Sequence, residues 1–136
     1  MLKDYFAYDS ETLRDVVALI QANRSRCAII VNSANQVVGV FSEGDVLRAL
    51  MNDQEIHAPI RNLITSRFVY LRQRDMDAAF QLMRVMGVTL IPIVREDFTL
   101  TEVITHWDIL EHVHEQLRRL LVGRAGGEGA AGVGKG

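Results

Sequence analysis

Residues 37–50 read VVGVFSEGDVLRAL: an apolar run of strand character, a polar break at Ser42, then an amphipathic segment of helical period with Asp45 in its first turn. A strand that runs straight into a helix leaves free backbone N–H groups and the positive end of the helix dipole at the junction, where anions and polar oxygens are favoured. The pattern returns 63 positions later in VITHWDILEHV, where Thr105 and Asp108 take the places of Ser42 and Asp45. One unit is used twice.

The chain of 136 residues is 49% apolar, enough to build one domain or two small units sharing a core. A net charge of −2 gives no footprint for nucleic acid, which calls for a basic surface. No run approaches the roughly 20 apolar residues of a membrane span, and the opening MLKDYFAYDS lacks the apolar centre of a secretory signal. A cytoplasmic location without nucleic-acid or membrane partners is therefore expected. The single cysteine, Cys27, lies in the apolar run CAIIV, where a small buried hydrophobe is the expected role.

Outward from residues 37–50, the periodicity defines the neighbours. Tyr5 to Tyr8 alternate weakly, and Asp9 or Ser10 is placed to cap the helix that follows. Leu13, Val16, Val17 and Ile20 form one apolar stripe. Cys27 to Val31 reads as a buried strand entering a hairpin through the turn-rich NSANQ. The polar segment Asp53 to Arg61, with Pro59, reads as the connection between two units. The second unit retraces the first: strand Phe68 to Leu71, helix Met76 to Met86, strand Val88 to Val94, strand Leu100 to Ile104 and helix His106 to Val122. Apolar positions map onto apolar positions at the constant offset of 63, as in Leu13 to Met76, Ile30 to Ile93 and Val40 to Val103. Met76, Met83 and Met86 are expected in the core. The organisation expected is residues 1–60, residues 61–122 and a flexible Gly/Ala-rich tail over 123–136.

The tandem repeat, with GVFSEGDVLRAL and VITHWDIL, resembles a pair of cystathionine β-synthase (CBS) domains, the Bateman module, over about Leu2 to Val122. SEGDVLRAL followed by HAPIRNLI is most similar to pairs joined to sugar-nucleotide transferases and sugar-phosphate isomerases. The resemblance implies an α+β fold of two βαββα repeats related by a pseudo-twofold axis. It also implies a non-catalytic regulatory sensor that binds adenosine-containing nucleotides, AMP, ADP or ATP, in clefts between the repeats. A homodimer and an attached or partner enzyme such as a nucleotidyltransferase belong to the same expectation. Carried over by position, Ser42 and Thr105 would offer hydroxyls to phosphate or ribose, and Asp45 and Asp108 would accept from ribose hydroxyls. Cys27, Ala28, Leu90 and Ile91 would line the base, read through backbone groups. A carboxylate matches a diol, and helix N-terminal N–H groups match phosphate.

The repeats depart from one another. Gly39 matches the family glycine that lets the strand approach its ligand, but its counterpart is Glu102, a carboxylate that would repel phosphate. Pro92 matches the family proline, whereas Ile29 replaces it in the first repeat, and the turn Arg95 to Phe98 lacks a glycine. One good site at Ser42 and Asp45 is expected, with the other weakened. The alternative is a structural dimerisation module with vestigial clefts, for which the long stripe Leu110, Val113, Leu117, Leu120 and Leu121 speaks. Ser42 and Asp45 would also serve as an ordinary helix cap. His106, His112 and His114 do not converge as metal ligands on one helix face, so no metal is expected. Gly129, Gly134 and Lys135 have the spacing of a phosphate-binding loop without its strand, hydroxyl or helix.

Overall fold

The computed structural model describes residues 1–128, with side chains as far as Gly123. The chain falls into two compact units, Met1–His106 and one that begins at Trp107. In the first unit the order is β1 (Phe6–Tyr8), α1 (Leu13–Asn23), β2 (Cys27–Val31), β3 (Val37–Ser42), α2 (Glu43–Met51), α3 (Met76–Met86), β4 (Leu90–Val94) and β5 (Leu100–Thr105). Helix α4 (His106–Glu128) follows, continuing past Val122 into the Gly/Ala-rich stretch. The spacing of Gly129, Gly134 and Lys135 lies outside the described residues.

The offset of 63 seen in the sequence is carried into the backbone. Cys27 pairs with Ser42 and Leu90 with Thr105, and both antiparallel hairpins shift register at the same step, Ile30/Val31 and Ile93/Val94. Where the hairpin tips meet, the Val37 N–H donates to the Phe98 carbonyl (2.8 Å) and the Leu100 N–H to the Asn35 carbonyl (2.9 Å). The two bonds exchange when the repeats are exchanged, as a twofold axis between them requires. The architecture is α+β with two repeats, as expected.

Strand β2 is buried on both faces, so its alternating side chains feed two cores. Ala28 and Ile30 join Leu13, Val16, Ile20 and Phe41 under α1, whereas Cys27, Ile29 and Val31 join Val37, Leu90 and Val94 between the sheets. The connection folds back on the first repeat. The Ala58 and Ile56 carbonyls accept from the Leu13 and Arg14 N–H groups, satisfying two of the free donors at the start of α1. Ile60 is fully buried in the same core.

Three expectations are corrected. Helix α1 is capped by Thr12, not Asp9 or Ser10: its hydroxyl accepts from the Asp15 N–H, and the Asp15 carboxylate accepts from the Thr12 N–H at 2.9 Å. Met86 is not core but 56% exposed. The expected strand Phe68 to Leu71 shrinks to one parallel bridge, Leu71 to Ile93. Pro92 explains the last. In the first repeat the Ile29 N–H donates to the Tyr5 carbonyl at 2.7 Å. The equivalent bond would run from residue 92 to the Phe68 carbonyl, and proline has no N–H. Only the later bonds, Leu71 N–H to Pro92 carbonyl and Val94 N–H to Leu71 carbonyl, survive.

Candidate functional site

Ser42 ends β3 and caps α2, and Cys27 begins the strand paired with it. These residues, with Arg26, Glu43 and Gly44, form one wall of a cleft of about 400 Å³. The facing wall comes from the second repeat, Met86, Gly87, Val88 and Thr89, where α3 hands over to β4. The volume falls within the roughly 300–1,000 Å³ of small-molecule sites. Gly87 gives α3 its sharp end, with φ 72 and its N–H on the Met83 carbonyl, and so turns the chain across the cleft.

The start of α2 forms a reciprocal cap. The Ser42 hydroxyl accepts from the Asp45 N–H at 3.2 Å, and Asp45 Oδ2 accepts from the Ser42 N–H at 2.8 Å and from its hydroxyl at 3.0 Å. Asp45 Oδ1 accepts from Arg48 at 2.5 Å. Both carboxylate oxygens of Asp45 are thus engaged, one by Ser42 and the other by Arg48. Thr12 and Asp15 make the same cap elsewhere, so this geometry by itself is helix chemistry.

Two guanidinium groups flank the helix start. Arg26, held at φ 64, pairs with Glu43 at 3.8 Å, and the Arg48 guanidinium reaches back to within 3.7 Å of a Cβ built on Gly44. With the positive end of the α2 dipole, they make this wall receptive to an anion that competes with Glu43 and Asp45. At the base of the cleft Cys27 is buried beside the Thr89 hydroxyl, 3.9 Å away, and burial raises its pKa, which leaves a protonated, unreactive thiol at neutral pH.

The remaining expected residues are spread differently. Ala28 and Ile91 are fully buried, and Leu90 is nearly so, and all three pair across their hairpins. Beyond Leu71, no described strand runs along the other edge of β4. Thr105 closes β5 and is buried at 3% exposure, whereas Ser42 is half-buried. Asp108 lies in the first turn of α4. Glu102 is half-exposed and pairs with Arg74 at 3.3 Å, so its charge is matched. Gly39 has a local reason: a Cβ there would meet the Thr65 carbonyl oxygen at 3.0 Å and Ile64 at 3.2 Å, so the connection's own backbone occupies the space. Among the described residues no group of His, Cys, Asp and Glu could hold a metal ion.

Sequence reasoning missed Arg26, Thr89 and the Met86–Gly87 turn. Arg26 and Thr89 are themselves related by the offset of 63, each standing one residue before its buried strand, so the repeat could have found them. Their carbonyls do equivalent work: Arg26 accepts from the Glu43 N–H and Thr89 from the His106 N–H, both at 3.0 Å.

The model of the family described as CBS domain matches residues 1–52. An uncharacterized 33.4 kDa protein from the ribosomal RNA operon of Thermofilum pendens is 32% identical over 114 residues, covering 82% of this chain and 37% of that protein. The chain spans well under half the length of the first curated relatives it matches. Among solved structures, a CBS domain protein of Pyrobaculum aerophilum complexed with AMP superposes with a TM-score of 0.65 at 23% identity, over 76% of this chain and 81% of that one. A CBS domain pair/ACT domain protein of Thermotoga maritima superposes with a TM-score of 0.70 at 19% identity, over 86% and 93%. The chain carries a CBS domain in its first 52 residues and has the fold of a tandem CBS pair, the Bateman module.

Proposed function

We propose that this chain is a non-catalytic regulatory module that binds an adenosine-containing nucleotide, AMP, ADP or ATP, in the cleft beside Ser42. The observation that carries the reading is the cleft itself: about 400 Å³, walled by both repeats, with the start of α2 and Arg26 on one side. The AMP held by the Pyrobaculum relative supports the ligand class. Phosphate oxygens would lie at the positive end of α2 and take the Ser42 hydroxyl and Arg26, displacing Glu43 from its ion pair. The ribose diol would take Asp45 in exchange for Arg48. The base would lie toward Cys27 and Leu90, where the uncovered edge of β4 offers backbone groups. Thr105 and Asp108 are assigned a weaker second site, because Thr105 is already buried. A cytoplasmic setting and an attached or partner enzyme, such as a nucleotidyltransferase, complete the proposal. Among the described residues no helix is long and apolar enough to cross a membrane.

A second reading has its own observation. Leu110, Val113, Leu117, Leu120 and Leu121 on α4 are each about half exposed or more, as are Leu47, Leu50 and Met51 on α2. These faces fit a structural homodimerisation module whose clefts are vestigial. Isothermal titration with AMP, ADP and ATP, run beside sedimentation of the same protein, separates the two. Heat of binding with at least one nucleotide is expected. Silence with all three, together with a dimer that Leu117→Glu dissociates, would leave the structural role.

A further inference from the structure

A second hollow, of about 380 Å³, shares no lining residue with the cleft at Ser42. Its walls are apolar, Val37 and Val38 from β3 with Phe68, Tyr70 and Phe98, and Ser66 sits at its rim. The rings meet edge to face: Phe98 lies 5.1 Å from Tyr70 at 73° and 6.3 Å from Phe68 at 87°.

Two features are not those of ordinary core filling. Phe98 holds φ 70, a left-handed conformation that a bulky side chain adopts rarely, whereas its repeat counterpart Asn35 sits at φ 63 as asparagine readily does. An aromatic ring is thus kept where the backbone disfavours it, and strain of that kind gathers at functional sites. The ring is also not fully buried, and Tyr70 is 37% exposed. The second feature is Arg72. Its guanidinium carbon stands 4.7 Å from the Phe98 centroid and 5.1 Å from that of Tyr70, and one of its nitrogens donates to the Arg95 carbonyl. Among the described residues no carboxylate pairs with it. A guanidinium has five N–H donors, so most of its capacity for an anion is unspent.

We propose that this hollow binds a planar aromatic anion, typified by an aromatic carboxylate, with its ring among Phe68, Tyr70 and Phe98 and its carboxylate on Arg72. The volume holds one or two fused rings, the edge-to-face walls suit a flat guest, and the charge complements Arg72, which is not a lining residue but stands against the Tyr70 and Phe98 rings that are. The hollow shares no lining residue with the cleft at Ser42, so this is a different site from the one proposed there.

The test titrates the full chain with benzoate, 4-hydroxybenzoate and indole-3-acetate, with benzyl alcohol as the neutral control, following backbone amide shifts by NMR. At least one carboxylate is expected to shift Val38, Tyr70 and Phe98 and to bind tenfold or more tighter than benzyl alcohol. Arg72→Gln, which keeps the fold, should weaken it tenfold or more. Phe98→Asn should remove it while the Tm holds or rises, since asparagine suits the left-handed backbone. No shift with any carboxylate, equal binding of benzyl alcohol, or undiminished binding by Arg72→Gln would each overturn the proposal and leave the three rings as packing alone.

Discussion

The first repeat builds a three-stranded sheet, β1–β2–β3, and the second builds only β4–β5, although their hairpins agree in register residue by residue. The difference traces to one atom group. Ile29 has an N–H for the Tyr5 carbonyl, and Pro92 has none for that of Phe68. A second contrast lies at the junctions into the helices. Ser42 is half-buried on the wall of a cleft, whereas Thr105 is buried. A third sits on β3 and β5, where Gly39 admits the connecting backbone and Glu102 faces Arg74. Duplication supplied two equal frames, and single substitutions at matched positions made their surfaces unequal.

The contrast can be broken most severely at the proline. Ile29→Pro should remove the third strand from the first repeat, leaving the Tyr5 carbonyl without its partner and disturbing a fully buried position, at about 3 kcal/mol. Pro92→Ile should instead give residue 92 an amide protected from hydrogen exchange and extend the pairing of Phe68. Chemical denaturation and amide exchange check the two together. Unprotected amide 92 in the second variant would mean that something other than proline keeps that strand away.

Next in size is Gly39→Val, which must push the Thr65 carbonyl or Ile64 aside and should cost about 2 kcal/mol. Glu102→Val at the matched position removes only an exposed ion pair and should stay within about 0.5 kcal/mol. Thermal unfolding of the pair measures the difference, and equal costs would deny Gly39 its packing role. The smallest effect concerns the helix ends. Arg24 closes α1 at φ 60 where its counterpart Gly87 closes α3 at φ 72. Arg24→Gly should therefore raise stability by about 1 kcal/mol, and a fall would show that the arginine side chain does more than tolerate its backbone.

Most of the frame was legible because its signals are local. The helix from Met76 to Met86 and the strand from Cys27 to Val31 follow from stripe, run and breaker alone. What was not legible depended on partners distant in sequence. Tyr5 to Tyr8 and Phe68 to Leu71 look equally strand-like, and only the bond each offers to β2 or β4 separates them. Gly39 reads as a ligand-facing glycine until Thr65 is seen to lie over it. At the cleft, Ser42 and Cys27 were visible from the motif and from the resemblance. Arg26, Met86 and Thr89 were not, because their residue types mean nothing until the two repeats face each other. Asp45 is where motif and geometry overlap without separating: a carboxylate three residues after a serine caps a helix whether or not a ribose ever meets it.

That overlap is resolved by comparing the two aspartates directly. Asp45→Asn and Asp108→Asn keep side-chain size, and each is titrated with AMP, ADP and ATP by calorimetry beside the unmodified chain, with Tm recorded for all three. At least a tenfold loss of nucleotide affinity is expected for Asp45→Asn and a change of less than threefold for Asp108→Asn, with comparable Tm values. Loss confined to Asp108→Asn, or affinity untouched by Asp45→Asn, would rule out nucleotide binding through the Ser42 and Asp45 junction.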